Sequence, residues 1–248
     1  MSDGIWSAAS GATTLLLSLD AVANNLANTA TPGYKADNAV FREHLMSAVD
    51  GGHNVKEMRF SAIDAMAHDF SGGPITATKR PLDAAIDGEG FFAITTPQGE
   101  RYTRAGSFDV NSSGELVAVG GAKVLGENNR PIVIPPNQQG VTNARITADG
   151  NIESDGNLIG RLKLVKFTKQ DGLVKEGHLL FSATQASGAA RVAPVRLEPE
   201  ALEGANFSVV KGMTSMVTTT RTFDAINRVI DTFNDIDRRA AMDVGRIR

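Results

Sequence analysis

Apolar residues recur at alternating gaps of three and four along the first thirty positions: Ile5, Ala8, Ala12, Leu15, Leu19, Val22 and Leu26. This spacing keeps one stripe of a helix facing a partner, as in a coiled coil or a helix bundle, although a packing helix in an ordinary core shows the same period. Asn24 and Asn25 fall late in the stripe. After Asn28 the run Thr29-Ala30-Thr31-Pro32-Gly33 predicts the end of the helix, because Pro32 disfavours helical backbone at Thr31 and Gly33 tolerates positive φ. The C-terminal end carries a second stripe: Val209, Met213, Met216, Phe223, Ile226, Ile230, Phe233 and Ile236. The β-branched run Thr218-Thr219-Thr220 is expected to break it, since threonine is a weak helix former. Asn206 or Ser208 is the expected N-cap. Arg238, Arg239, Arg246 and Arg248 gather near the far end, where positive charge suits the helix dipole or simply solvates the terminus.

Between these stripes the pattern changes to short alternating or apolar runs separated by Gly, Asp, Asn and Pro, which predicts strands joined by tight turns. Strands are expected near Leu82–Ile86, Phe91–Thr95, Arg101–Thr103, Glu115–Val119, Ile132–Ile134, Ala144–Ile146 and Leu162–Phe167, with others after Leu173. The stretch Asp149–Asn157 reads as two Asp-Gly turns around a short strand, because its acidic spacing is not that of a calcium loop. Residues 36–75 fit neither period, with Gly51-Gly52 and Gly72-Gly73-Pro74 as breakers. The expected plan is an N-terminal assembly helix and its motif (1–35), a connector (36–75), a β-rich body (76–203) and a C-terminal assembly helix (204–248). The fold class is mainly β with long terminal α-helices that pack as a bundle or coiled coil on assembly.

Composition narrows the chemistry. A net charge of -3 supplies no basic field for nucleic acid. The chain has no cysteine, so disulfides, thiolate metal sites and cysteine nucleophiles are excluded. His44, His53, His68 and His178 lack metal-binding spacing, and Asp87-Gly88-Glu89-Gly90 lacks the residues that complete a phosphate loop. Asp87 with Glu89 could form a carboxylate pair but reads better as a polar turn. No catalytic constellation, cofactor site or metal site is therefore expected. Met1-Ser2-Asp3-Gly4 lacks a basic signal region, and no run approaches the roughly 18 apolar residues of a membrane span.

Three blocks resemble a known family. Ala23-Asn24-Asn25-Leu26-Ala27-Asn28-Thr29-Ala30-Thr31-Pro32-Gly33-Tyr34-Lys35 is similar to the signature of flagellar rod and hook proteins. Arg80-Pro81-Leu82-Asp83-Ala84-Ala85-Ile86-Asp87-Gly88-Glu89-Gly90-Phe91-Phe92, continuing to Tyr102-Thr103-Arg104-Ala105-Gly106-Ser107-Phe108, resembles the family's β core. Leu202-Glu203-Gly204-Ala205-Asn206 resembles the run before its last helix. Thr220-Arg221 departs from the Gln-Arg often found in that helix.

The resemblance implies a structural subunit of the bacterial flagellar basal-body rod, not an enzyme, assembling helically into a periplasm-spanning shaft. Length and the run Gly160–Lys166 look most like the proximal-rod branch; a distal-rod or hook subunit and a cytoplasmic export adaptor are the alternatives. Implied partners are copies of itself, other rod proteins and the flagellar type III export apparatus, with no nucleic acid, small-molecule substrate or membrane insertion, and with export that needs no cleaved signal. Packing between subunits is then expected at Ile5, Leu15, Leu19, Val22, Asn24, Asn25, Leu26, Asn28, Gly33, Tyr34, Met213, Met216, Phe223, Ile226, Ile230 and Phe233. Burial of the first stripe alone falls short of the entropy lost in ordering the helix, so the ends are expected to order only when helices from the same and adjacent subunits combine.

Overall fold

The computed structural model describes residues 2–49, 55–135, 143–177 and 179–245; His53, His178, Arg246 and Arg248 lie outside them. The chain divides into two compact units. One holds Met1–Ala27, Asp37–Ala67 and Ser208–Arg248, and the other Asn28–Ala36 with His68–Phe207.

In the first unit, helix α1 (Ser2–Ala27) packs against helix α2 (Val209–Gly245). The stripe from Ile5 to Leu26 is buried or half-buried throughout, whereas Trp6, Leu16 and Leu17 on other faces of α1 stand exposed. α1 stops where the sequence predicts. α2 does not break at its threonines. Thr214, Thr218, Thr220 and Thr222 each donate their hydroxyl to the carbonyl four residues back, at 2.8 to 2.9 Å, so the side chains are satisfied without leaving the helix. Between Ile5 and Ala27, α1 is also long and apolar enough to cross a membrane by length and composition. The count of consecutive apolar residues missed this because the interruptions are Gly, Ser, Thr and Asn, with Asp20 the single charge. Much of the expected connector is regular: Asp37–Val49 and Val55–His68 are long strands paired in a two-stranded sheet.

The second unit is a β body. Its largest sheet is nine-stranded, with Phe91–Thr96 near the centre pairing antiparallel with Gly99–Thr103, Lys123–Val124 and Leu164–Lys166. Successive residues of a strand face opposite sides of the sheet. Phe92 packs into one cluster with Ile86, Phe108, Leu116 and Ile152, while Phe91 packs into another with Tyr102, Phe167 and Phe181. Both phenylalanines have no exposed surface, which explains why the strand reads as a continuous apolar run. Asn151–Ser154 and Asn157–Arg161 form the expected hairpin, and Asp155 and Gly156 both take positive φ (49° and 81°) in its turn. Ile132–Ile134 forms no ladder but an isolated bridge from Val133 to Glu115, with the Ile132 and Ile134 N–H groups donating to the Val124 and Gly114 carbonyls at 3.1 and 2.7 Å; Pro131 before it has no N–H to extend the pairing.

Two small sheets join distant parts of the chain. Ala84–Asp87 pairs with Arg196–Pro199, and Ile75–Ala77 pairs with Ala201–Glu203.

Tyr102 packs edge-on against Phe167 at 4.8 Å between ring centroids. Burial, reinforced by the Glu100 carboxylate, pushes its phenol up to about 12. The unfolded phenol ionises near 10. Between these values the unfolded chain has lost a proton that the folded chain keeps, so alkaline conditions favour unfolding. An ultraviolet titration should show one of the two tyrosines ionising near pH 12, with the thermal midpoint falling from pH 10 to 12 and less steeply in Tyr102→Phe. Ionisation of both phenols near pH 10 in the folded protein would contradict this.

Candidate functional site

The residues expected to pack between subunits fall into two groups. On the helices, Ile5, Leu15, Leu19, Val22 and Leu26 of α1 are half-buried, as are Met216, Phe223, Ile226, Ile230 and Phe233 of α2. A Cβ placed on Gly11 would lie 3.7 Å from the Ile226 Cδ1, so the α1 backbone runs close to that side chain. Met213 is 54% exposed and lies off this contact, with Val210 and Val217 on the same side of α2. Asn24 is exposed. Asn25 is buried for a local reason: its amide donates to the Asp37 carbonyl at 2.8 Å and its oxygen accepts from the Asp37 N–H at 2.9 Å. It thereby ties the last turn of α1 to the start of the first strand.

The rest of the N-terminal motif belongs to the β body. Asn28 begins a turn, its carbonyl accepting from the Thr31 N–H at 3.0 Å. Gly33 follows at φ +73°, and a Cβ there would sit 2.3 Å from the Ala105 nitrogen, so both backbone angle and space require glycine. The Gly33 N–H donates to the Glu203 carbonyl at 2.7 Å. Tyr34 is wholly buried, with the Lys175 ammonium 4.1 Å from its ring centroid.

Lys35, 1% exposed, extends into the interior. Its ammonium donates to Glu203 Oε1 at 2.7 Å and to the Ser71 carbonyl at 2.5 Å. Glu203 Oε1 also accepts from the Gly73 N–H at 2.9 Å, and Oε2 accepts from Arg104 at 3.3 Å. Arg104, 3% exposed, donates its other terminal nitrogen to the Gly88 carbonyl at 2.6 Å and lies over the Phe91 ring. One buried carboxylate therefore serves two buried cations. Loss of water holds the Lys35 ammonium below the usual lysine range, although Glu203 pulls in the opposite direction, and burial likewise lowers Arg104.

Asn206 completes this clasp. It is not a helix cap: α2 begins after Ser208, while the Asn206 oxygen accepts from the Ala36 N–H at 2.8 Å and its amide donates to the Asp69 carbonyl at 2.7 Å. Lys35, Arg104 and Glu203 carry no expected role of their own in the sequence, and Asn206 is expected there only as a helix cap, yet each lies in one of the three family-like blocks. What the blocks share is a meeting point. Periodicity could not reveal it, because buried lysine, arginine and glutamate look like surface residues in a sequence.

A cavity of about 640 Å³ opens beside the clasp, lined in part by Asp69, Asp87, Glu89, Arg104 and Asp171. Gly88, at φ +90°, turns the chain between Ala84–Asp87 and Phe91–Thr96, so Asp87 ends a strand paired with Arg196 and Glu89 lies in the turn that follows. No cluster able to hold a metal ion occurs among the described residues.

Three family models match the chain: the flagella basal body rod protein model over residues 5–35, the flagellar hook protein FlgE/F/G D1 domain over 85–154, and the flagellar basal body rod FlgEFG protein C-terminal model over 198–242. Lys35, Arg104 and Glu203 fall one in each. The chain is 32% identical over 237 residues to the flagellar basal-body rod protein FlgF of Caulobacter vibrioides, covering 94% of both. It is 30% identical to FlgG of Bacillus subtilis, over 94% of this chain and 95% of that protein, and 32% identical to FlgG of Agrobacterium fabrum, over 92% and 94%.

Glu203→Gln keeps the shape of the clasp but leaves two buried cations without a carboxylate, a loss of about 3–5 kcal/mol. Gly33→Ala should cost more than the roughly 1–2 kcal/mol of left-handed backbone strain, because it adds a clash with backbone. Urea denaturation checks both; a change in Glu203→Gln below about 1 kcal/mol would mean that the ion pairs contribute little.

Proposed function

The chain belongs to the flagellar basal-body rod protein family and is a structural subunit of the rod, and we propose that α1 and α2 are the elements through which it joins its neighbours. The observation that carries this reading is apolar surface left uncovered by the α1–α2 contact. Trp6, Leu16 and Leu17 on α1 and Val210, Met213, Val217, Val229, Ile236 and Met242 on α2 are all more than two-fifths exposed. So many large apolar side chains left exposed on two helices favour an interaction surface. At 1.5 Å per residue α2 is roughly 55 Å long and α1 roughly 39 Å. At least one part of α2 therefore has no α1 beside it.

Rod proteins assemble with other rod proteins, and helices from adjacent copies would cover these faces in a helical, periplasm-spanning shaft. The proximal, F-type position fits the end-to-end match to a FlgF protein; the G-type similarity makes a distal position the competing reading. Export through the flagellar type III apparatus without a cleaved signal, and the absence of nucleic-acid, small-molecule and membrane partners, belong to the same proposal. A cytoplasmic export adaptor would use similar helices but has no need of a β body.

Leu17→Asp and Met213→Asp sit on exposed faces, so each should leave stability within about 0.5 kcal/mol of wild type. Both should nevertheless prevent incorporation into basal bodies and abolish swimming. Normal motility in both variants would refute the assignment of these faces to assembly.

A further inference from the structure

Glu203 serves the two ends of the chain at once. Its side chain holds Lys35 at 2.7 Å and Arg104 at 3.3 Å, and its backbone carbonyl holds the Gly33 N–H at 2.7 Å. All three charged residues are at most 3% exposed. Among the described residues, Glu203 is the only carboxylate that forms an ion pair with either cation. Asn206 adds a second crosslink through the Ala36 N–H, and the Asp69 N–H donates to the Ala36 carbonyl at 2.8 Å. Residues 33–36 lead out of α1 and residues 202–206 lead into α2.

We propose that this clasp is a coupling device: residues 33–36 and residues 202–206 seat on the β body in one concerted step, so that neither chain end is anchored unless both are. The reason is electrostatic. If Glu203 withdraws, Lys35 and Arg104 lose their shared ion-pair partner while almost wholly buried, and both are driven towards the open cavity beside them. If Lys35 withdraws, Glu203 loses its shortest ion pair and keeps only Arg104 and a backbone amide. Each segment thus completes the site of the other, and coupling of this kind is reciprocal. The inference concerns the folded subunit itself and holds whether its place in the rod is proximal or distal.

Hydrogen exchange on the full chain tests it, comparing wild type with Lys35→Met and Glu203→Gln. The Gly204 N–H, bonded to the Pro74 carbonyl at 2.8 Å, reports on the C-terminal segment, and the Ala36 N–H reports on the N-terminal one. The Ala93 and Leu125 amides, bonded within the large sheet at 3.0 and 2.9 Å, report on the body. Lys35→Met should speed exchange at Gly204, and Glu203→Gln should speed it at Ala36, each on the order of 100-fold, with Ala93 and Leu125 within about 3-fold of wild type. Unchanged protection at either distant amide overturns the proposal, as does an equal loss at the sheet amides. Should neither variant fold, wild type in sub-denaturing urea gives the answer: Ala36 and Gly204 should share one opening transition below that of the sheet, and separate transitions would overturn the coupling.

Discussion

One carboxylate shared by two almost wholly buried cations is the constraint on which the body depends. Glu203 can neutralise only one of the positive charges of Lys35 and Arg104; the Ser71 and Gly88 carbonyls accept hydrogen bonds from Lys35 and Arg104 respectively, and the Asp69 and Glu89 carboxylates attract them from farther off. Those carbonyls belong to the loops around residues 69–74 and 87–90, so the charge requirement also fixes where the loops lie. A hydrophobic replacement of the same volume could be as stable. What it would lack is register, since a 2.7 Å ion pair between Lys35 and Glu203 can form at one alignment of the two segments only.

This places the family-like motif in a different light. Its asparagines and glycine look like features of a helix interface, yet Asn25 braces a strand of its own chain, and Gly33 to Lys35 lie buried in the body. The exposed faces of α1 and α2, by contrast, carry tryptophan, leucine, isoleucine, valine and methionine. Alignment within the body is set by a polar, buried joint, whereas apolar contact of the kind these faces offer is non-directional.

Much of this was legible in the sequence where one face of an element is buried. The α1 stripe and its Pro-Gly end were readable, as were Phe91–Thr96, Ala144–Ile146 and the Asp155-Gly156 turn. The long strands of residues 37–68 were not, because a two-stranded ribbon need not bury a full face and so shows no strict alternation. The threonine run misled because propensity ignores the hydroxyl bonds that Thr218 and Thr220 make within the helix. The clasp was hidden for another reason. Only the tertiary fold brings Lys35, Arg104 and Glu203 together, and charge gives no local sign of burial.

The most direct test of the account is a density map of native hook-basal bodies at side-chain resolution. It should place the chain in the rod, with Lys35, Arg104 and Glu203 in contact in each copy and with Leu17 and Met213 covered by adjacent subunits. A rod that lacks the chain, or that contains it with those helix faces open to solvent, would contradict the account.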